Sequence, residues 1–425
     1  MNIMIIGSGG REAAIAKSVS KSPLATSIYA LPGNDGMSEY VNLVDINVMD
    51  FESILTFAKE NSIDFAIVAP DDPLVGGLVD LLEDNGIKCF GPNKRAAIIE
   101  GSKSFAKQLM SKYNIPTAES EEFTNSSEAL KYAKSSKYPL VIKADGLALG
   151  KGVSIVNNYE EAKETIISNL DEHKFNHSSD KIIIEEFLEG PEISLLTFTD
   201  GKTLIPMISS MDHKRIGDGD SGPNTGGMGA IAPNPYYTPL VEVDCIRKIL
   251  YPTILAMNKE NRAFKGCLYF GLMLTKDGLK VIEYNCRFGD PETQVVLPLL
   301  ESDLLEIMIA TRDEKLNTLD VKWSKDSSAN IVLASKGYPI SSTKGLPITV
   351  KELDSSSTLY CAGVKKNDSG ILETNGGRVL SVTSRAKSLE EAIKIAYKNI
   401  ENNVDFSEKV YRSDIGKVAL NCINK

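Results

Sequence analysis

Three polar residues late in the chain have the types and spacing to do chemistry. Glu283 and Asn285 lie two apart in the run Lys280 to Asn285, framed by apolar Val281 and Ile282. Read as a strand, with a side-chain period of two, this run puts both on one face, and Arg287 joins them if the strand persists. A carboxylate and an amide oxygen side by side are hard ligands suited to Mg²⁺ held together with a triphosphate. A neighbouring guanidinium suits an anionic phosphoryl or acyl-phosphate group. Tyr284 and Cys286 then point the other way, so Cys286 is expected in packing and not as a nucleophile.

Further candidates sit at strand ends. Lys143 closes the apolar run Leu140 to Ile142, and Lys151 lies in the glycine loop Asp145 to Gly152 with Gly150. Two ammonium groups beside open backbone N–H groups suit the β- and γ-phosphates of a nucleotide; an exposed hairpin with surface lysines fits the same spacing. After Ile182 to Ile184, the linker Glu185, Glu186, Phe187 and Leu188 could offer backbone groups to an adenine edge. Glu192 beyond it could accept from ribose hydroxyls, while a solvated strand end is the plainer alternative. Gly7 to Gly10 follows a strand and opens a helix, which makes either a tight turn or a cradle for a monophosphate or other small anion. It is not a dinucleotide fingerprint: Glu12 stands at the third glycine position, and the second strand runs into Pro32 without an acidic residue. Asp212 to Arg215 packs charged groups ahead of the glycine-rich loop 217–229, and a solvated cluster accounts for it. His173 and His177 lack a third ligand nearby and read as surface residues.

The elements that must position these residues come in two textures. Up to about residue 101, short apolar runs (Ile3–Ile6, Ile28–Leu31, Phe65–Val68, Lys88–Phe90), each closed by Gly or Pro save Phe65–Val68, which runs through Ala69 into Pro70, alternate with helical stretches such as 11–21. That pattern predicts a doubly wound parallel sheet with ligands at the carboxyl ends of its strands. A helix over 102–113 follows, and then strands with glycine loops. A hairpin is predicted from Leu268–Leu274 and Lys280–Asn285 around the turn 276–278. Beyond about 325 come short strands and one helix, Leu389–Asn399.

Composition limits the function classes. A net charge of −10 argues against a nucleic-acid surface. The start has no basic region, no 18-residue apolar run occurs, and neither a leader nor a membrane span is expected. Six scattered cysteines without a CxxC pair read as reduced cytosolic thiols, so a cytoplasmic enzyme is expected.

Taken in order, eight segments resemble the ATP-grasp superfamily and, within it, the phosphoribosylamine–glycine ligase (glycinamide ribonucleotide synthetase) family. They are GSGGRE (7–12), PGNDG (32–36), FGPNKRAAIIEGSKSFAK (90–107), KADGLALGKGV (143–153), IEEFLEGPE (184–192), MDHKRIGDGDSGPNTGGMGA (211–230), VIEYNCRFGDPETQ (281–294) and TNGGRVLSVT (374–383). The family usually has His where this chain has Ala13, and GPE where it has Ala69, Pro70 and Asp71. The resemblance implies an N-terminal α/β domain (1–101), an ATP-grasp domain (102–325) with a mobile lid at about 120–190, and a C-terminal domain (326–425). It implies that glycine is activated by ATP as glycyl phosphate and joined to 5-phosphoribosylamine, with Mg²⁺ or Mn²⁺ at Glu283 and Asn285. Carried onto matching positions, it gives ATP Lys103 and Lys143, the loop residues Gly150, Lys151 and Gly152, and Glu185 to Leu188 with Glu192. The substrates take Gly9, Gly10, Arg11 and Glu12, then Asn34 and Gly36, then Asp71, Pro73 and Asp290. Arg287, Lys214 and Asp212 are the implied catalytic residues, in a monomer without nucleic-acid or membrane partners. The rivals are an ATP-grasp ligase with another acid or amine, a nucleotide-binding oxidoreductase, and a catalytically dead binding protein.

Overall fold

The computed structural model describes residues 1–147 and 152–423. Strands β1 (Asn2–Gly7), β2 (Ser27–Pro32), β3 (Asn42–Leu43), β4 (Phe65–Val68) and β5 (Lys88–Phe90) form a parallel sheet in the order β3-β2-β1-β4-β5. Helix α1 (Gly10–Val19) starts straight after β1, as the glycine turn predicts. The apolar strands are covered on both faces: Met4 and Ile6 enter one core, Ile3 and Ile5 another.

Helix α2 (Lys103–Lys112), capped by the Ser102 hydroxyl, leads to a separate sheet of four antiparallel strands. These are β6 (Ser120–Phe123), β7 (Leu140–Ala144), β8 (Val153–Val156) and β9 (Ile182–Glu186), in the order β6-β9-β7-β8. This sheet has a core of its own, in which Leu140, Ile142, Ile182 and Ile184 pack against Ala129, Ala162 and Ile166.

The central sheet uses β10 (Glu192–Thr199) and β11 (Leu204–Pro206). The chain then passes through β12 (Met211–Asp212), the hairpin β13 (Arg215–Gly217) and β14 (Ser221–Asn224), and β15 (Gly229–Ala232). It returns as the predicted long hairpin, β16 (Gly266–Thr275) and β17 (Gly278–Asn285), giving the sheet β11-β10-β16-β17. The rings of Phe90, Phe198 and Phe288 meet at 5.9–6.4 Å and tie the end of β5 to this sheet.

The C-terminal part adds β18 (Ser327–Ala334), β19 (Ser357–Cys361) and β20 (Arg378–Ala386), covered by α3 (Leu389–Asn403). Its sheet, β12-β15-β18-β20-β19, includes β12 and β15, so the chain on either side of the glycine-rich loop belongs to a C-terminal sheet. That loop was expected to lack periodic structure over 217–229, whereas β13 and β14 pair across it. All six cysteines are free thiols, five of them buried, and no helix among the described residues is long and apolar enough to cross a membrane.

Candidate active site

Glu283 and Asn285 share a face because β17 absorbs one extra residue. Phe270 pairs with Tyr284 and Leu272 with Val281, all four facing the same core, and between them Gly271 pairs with Glu283. Ile282 is therefore unmatched, a β-bulge that reverses the alternation of β17. It turns Glu283 and Asn285 together onto the opposite face, as their spacing predicts. Gly271 makes the space, since a Cβ there would come 2.9 Å from Glu283 Cγ. Cys286 is buried in the core, as expected. Arg287 corrects the expectation: β17 ends at Asn285, so Arg287 does not extend the strand face. Its guanidinium turns to Glu100 (Nη2–Oε1 3.0 Å) and Asp71 (3.6 Å).

Charge converges on Glu283. Loss of hydration pushes its carboxyl pKa up, but the ammonium groups of Lys214, Lys143 and Lys103 outweigh this and hold it below the usual range. Lys214 lies 3.8 Å from Glu283 and 2.9 Å from Glu192, whose carboxylates keep it charged against burial. Asp212 behaves oppositely: burial, then the Glu292 carboxylate, push its pKa well up. Glu292 in turn accepts from Ser194 Oγ at 3.1 Å, beside Tyr269. Among the described residues no group of three or more His, Cys, Asp or Glu converges on one point. An ion at Glu283 and Asn285 would complete its shell with water and phosphate, which fits the chemistry of Mg²⁺.

Towards β7 and β9, Lys143 Nζ donates to the carbonyl of the bulged Ile282 (3.1 Å) and pairs with Glu185 at 3.0 Å. Lys107 holds the other oxygen of Glu185 at 3.3 Å, and all three groups are buried. Burial pushes Lys107 down to about 8, with Lys143 adding to the shift and Glu185 opposing it. Lys103 Nζ donates to the Gly146 carbonyl (2.8 Å), and the Gly152 carbonyl accepts from Ala144 N–H. Glu186 pairs with Lys280 (2.8 Å), while Phe187 and Leu188 continue half-buried past β9. Gly150 and Lys151 lie outside the described residues.

At the N-terminal sheet the anion cradle is corrected. The Glu12 carboxylate folds back to accept from Gly9 N–H (2.7 Å) and Arg11 Nε (2.7 Å), so the helix N-terminus already holds a negative group. A phosphate there would meet that charge. Gly10 is needed for packing, because a Cβ would sit 2.5 Å from Gln294 Nε2. Asn34 spends its amide on the Ser8 and Cys361 carbonyls and on Gly36 N–H, and Gly36 presses against Cys361. Both join the N-terminal sheet to the C-terminal one. Pro73 is buried in the short helix Asp71–Gly76. Burial pushes Asp71 up, but Arg287 and Arg11 outweigh it; Asp290 is likewise held down by Arg378 and Arg11. Ala13 is buried against the core behind α1. His173 is exposed and faces Asp180 at 3.3 Å.

Several residues at this site were passed over by sequence reasoning. Lys107, Glu100, Arg378 and Gln294 all lie in recognisable segments, yet nothing in their spacing marks them. Lys107 and Glu100 left a trace, since each falls on the buried face of its helix, Lys107 with Ala106 and Met110 and Glu100 with Ala96 and Ala97, where a charge is out of place.

The chain matches the family models described as phosphoribosylglycinamide synthetase, N domain, over residues 1–100, ATP-grasp (A) domain over 101–293 and C domain over 328–418. A phosphoribosylamine–glycine ligase of Clostridium acetobutylicum is 47% identical over 417 residues, 98% of this chain and 100% of that one. The crystal structure of phosphoribosylamine–glycine ligase from Thermotoga maritima superposes with a TM-score of 0.86 at 34% identity, covering 98% of this chain and 100% of that chain. The biotin carboxylase domain of a Hydrogenobacter thermophilus 2-oxoglutarate carboxylase, solved with MgADP, shares the fold at a TM-score of 0.75 and 17% identity, over 100% and 94% of the two chains. With three family models in sequence order and full-length relatives, the chain belongs to the phosphoribosylglycinamide synthetase family.

Proposed function

We propose that this protein joins glycine to 5-phosphoribosylamine at the expense of ATP, giving glycinamide ribonucleotide, ADP and phosphate in purine biosynthesis. The observation that carries the reading is Glu283: one carboxylate beside Asn285, ringed by Lys214, Lys143 and Lys103. A glycine carboxylate oxygen attacks the γ-phosphorus, the bond to the β,γ-bridging oxygen breaks, and glycyl phosphate and ADP result. The amine nitrogen then attacks the carbonyl carbon, and phosphate departs as the amine gives up a proton. Glu283 and Asn285 would hold Mg²⁺ or Mn²⁺, and the ion when bound neutralises charge on the phosphate oxygens.

The chain's own groups do the rest. Lys103 and Lys143 bind phosphate oxygens, Lys151 and the glycines Gly150 and Gly152 close over them, and Glu185 to Leu188 with Glu192 hold adenine and ribose. Lys214 and Arg287 stabilise the anionic carboxylate and acyl phosphate, and Asp212 faces them. Gly9 to Glu12 offer backbone, and Asp71 and Asp290 offer carboxylates, to the amine and the ribose hydroxyls. Asn34, Gly36 and Pro73 shape that end from behind. The working units are 1–101, 102–325 with its lid at 120–190, and 326–425, in a cytoplasmic monomer. Free thiols at all six cysteines support that compartment. Phosphate release should require glycine, 5-phosphoribosylamine and Mg·ATP together. Equal turnover with another amino acid would remove glycine from the reading.

A further inference from the structure

The acidic turn of the glycine-rich loop has no place in the chemistry above, yet each of its groups is engaged. Asp218 accepts from the backbone N–H of Ser413 (2.8 Å) and from its hydroxyl, and Gly219 N–H donates to Asp414 Oδ2 (2.7 Å). Arg412, only 2% exposed, grips both oxygens of Asp414 at 2.7 and 2.9 Å through Nε and Nη2. Its Nη1 donates to Asp220 Oδ1 (2.6 Å) and to the Arg215 carbonyl (3.3 Å). One turn of chain further on, Gly416 N–H donates to His213 Nε2 at 3.1 Å.

His213 sits between Asp212 and Lys214, where an imidazole invites a reading as acid or base. Its surroundings argue otherwise. Nε2 is an acceptor, so the ring proton is on Nδ1, which faces the Gly229 carbonyl at 3.3 Å. Both nitrogens are spent on backbone, and the side chain is buried. A hairpin of two short, glycine-rich strands does not hold itself in water. Here the restraint comes from a segment about two hundred residues further along the chain.

We propose that His213 and Arg412 form a latch through which residues 411–416 hold the glycine-rich loop, and with it Asp212 and Lys214, in the reactive arrangement. The inference rests on the roles given above to those two residues. His213 is thus a positioning residue: what the reaction needs is an acceptor at Nε2, not a titrating ring.

Two substitutions in the full-length protein separate these roles. Glutamine places its amide oxygen at the reach of Nε2 and keeps the bond to Gly416; asparagine reaches only as far as Nδ1 and loses it. His213→Gln should retain kcat within about threefold, while His213→Asn and Arg412→Lys lose about tenfold or more with little change in KM for Mg·ATP. Amide hydrogen exchange over 212–229 should be faster in the Asn and Lys variants than in wild type or His213→Gln. Circular dichroism and displacement of a fluorescent ATP analogue establish that each variant is folded and holds nucleotide. If His213→Gln is folded but as inactive as His213→Asn, the imidazole does chemistry and the latch is overturned. Wild-type kcat in His213→Asn overturns it equally. Should both His213→Asn and Arg412→Lys fail to fold, Ser413→Ala carries the test through kcat and exchange, and unchanged values for both sink the proposal. A wild-type protein that ignores glycine while the exchange pattern holds would refute the proposed substrate and leave the latch as a fact of the loop.

Discussion

Two ionic triads, one buried and one half-buried, flank the face of Glu283 and Asn285, and they are built with opposite signs. Between α2 and the sheet of β7 and β9, Lys107 and Lys143 share the single carboxylate of Glu185, two positive charges against one negative, a surplus of +1. Where the N-terminal sheet meets β17, Glu100 and Asp71 share the single guanidinium of Arg287, two negative against one positive, a surplus of −1. In each, burial works against the odd charge. It pushes Lys107 down to about 8, and it raises Glu100 despite the opposing pull of Arg287. An unbalanced triad is a poor stabiliser, and its surplus is only partly offset from outside, by Glu283 beside Lys143 and by Arg11 beside Asp71. What it can do is wait for a reactant of the opposite sign. The positive triad suits a polyphosphate and the negative one suits an amine, so under the proposed function the two halves of the reaction would differ in the electrostatics of their walls.

The largest effect should come from Glu283, which feels cations from both sides. Glu283→Gln should lower kcat by about a hundred- to a thousandfold with the melting temperature barely moved. Full activity would send the metal elsewhere, with Glu292 the next candidate. Arg287→Lys comes next, keeping the charge and losing the fork. It should cost about 2–4 kcal/mol in kcat/KM for the amine and leave KM for Mg·ATP alone. Wild-type turnover would reduce Arg287 to a join between domains. The mirror-image pair is more discriminating: Lys107→Met should raise KM for Mg·ATP about tenfold, and Glu100→Gln should raise that for the amine by a similar factor. If both variants shift both constants alike, the two-sign picture fails. Smallest is the effect of pH. As wild type passes pH 8, Lys107 loses its proton, the positive surplus goes, and KM for Mg·ATP should rise; in Lys107→Met it should stay flat. Stability runs the other way. The lowered Lys107 pKa means the unfolded chain binds more protons between about pH 8 and 10.5, so wild type should gain stability relative to Lys107→Met as pH rises through that window.

Much of this was legible in the residues, and the rest was not, for a physical reason. The four buried strands of the N-terminal sheet, the hairpin that carries Glu283 and Asn285, and Lys143 at a strand end are all local patterns. The residues that proved hard to see act across long gaps: Glu100 on Arg287, Lys107 on Glu185, Arg412 on Asp220. Nothing periodic links such partners. Arg287 shows the limit from the other side, since a strand was extended over a position where the chain had already turned away. Glu12 was read as a substrate contact near an anion cradle, and its own carboxylate fills the helix terminus.

The bulge at Ile282 has a consequence for how this site can change over generations. Most single-codon losses in a hairpin shorten a turn and are absorbed. Losing the codon for Ile282 would leave Val281, Glu283, Tyr284 and Asn285 opposite Leu272, Gly271, Phe270 and Tyr269 in plain alternation, with Glu283 and Asn285 still on the face away from Phe270. The same loss would take away the carbonyl that Lys143 holds. A gene carrying that deletion would keep the Glu283 and Asn285 face and lose the acceptor of Lys143, so the length of the segment from Val281 to Asn285 bears on the lysine and not on the carboxylate.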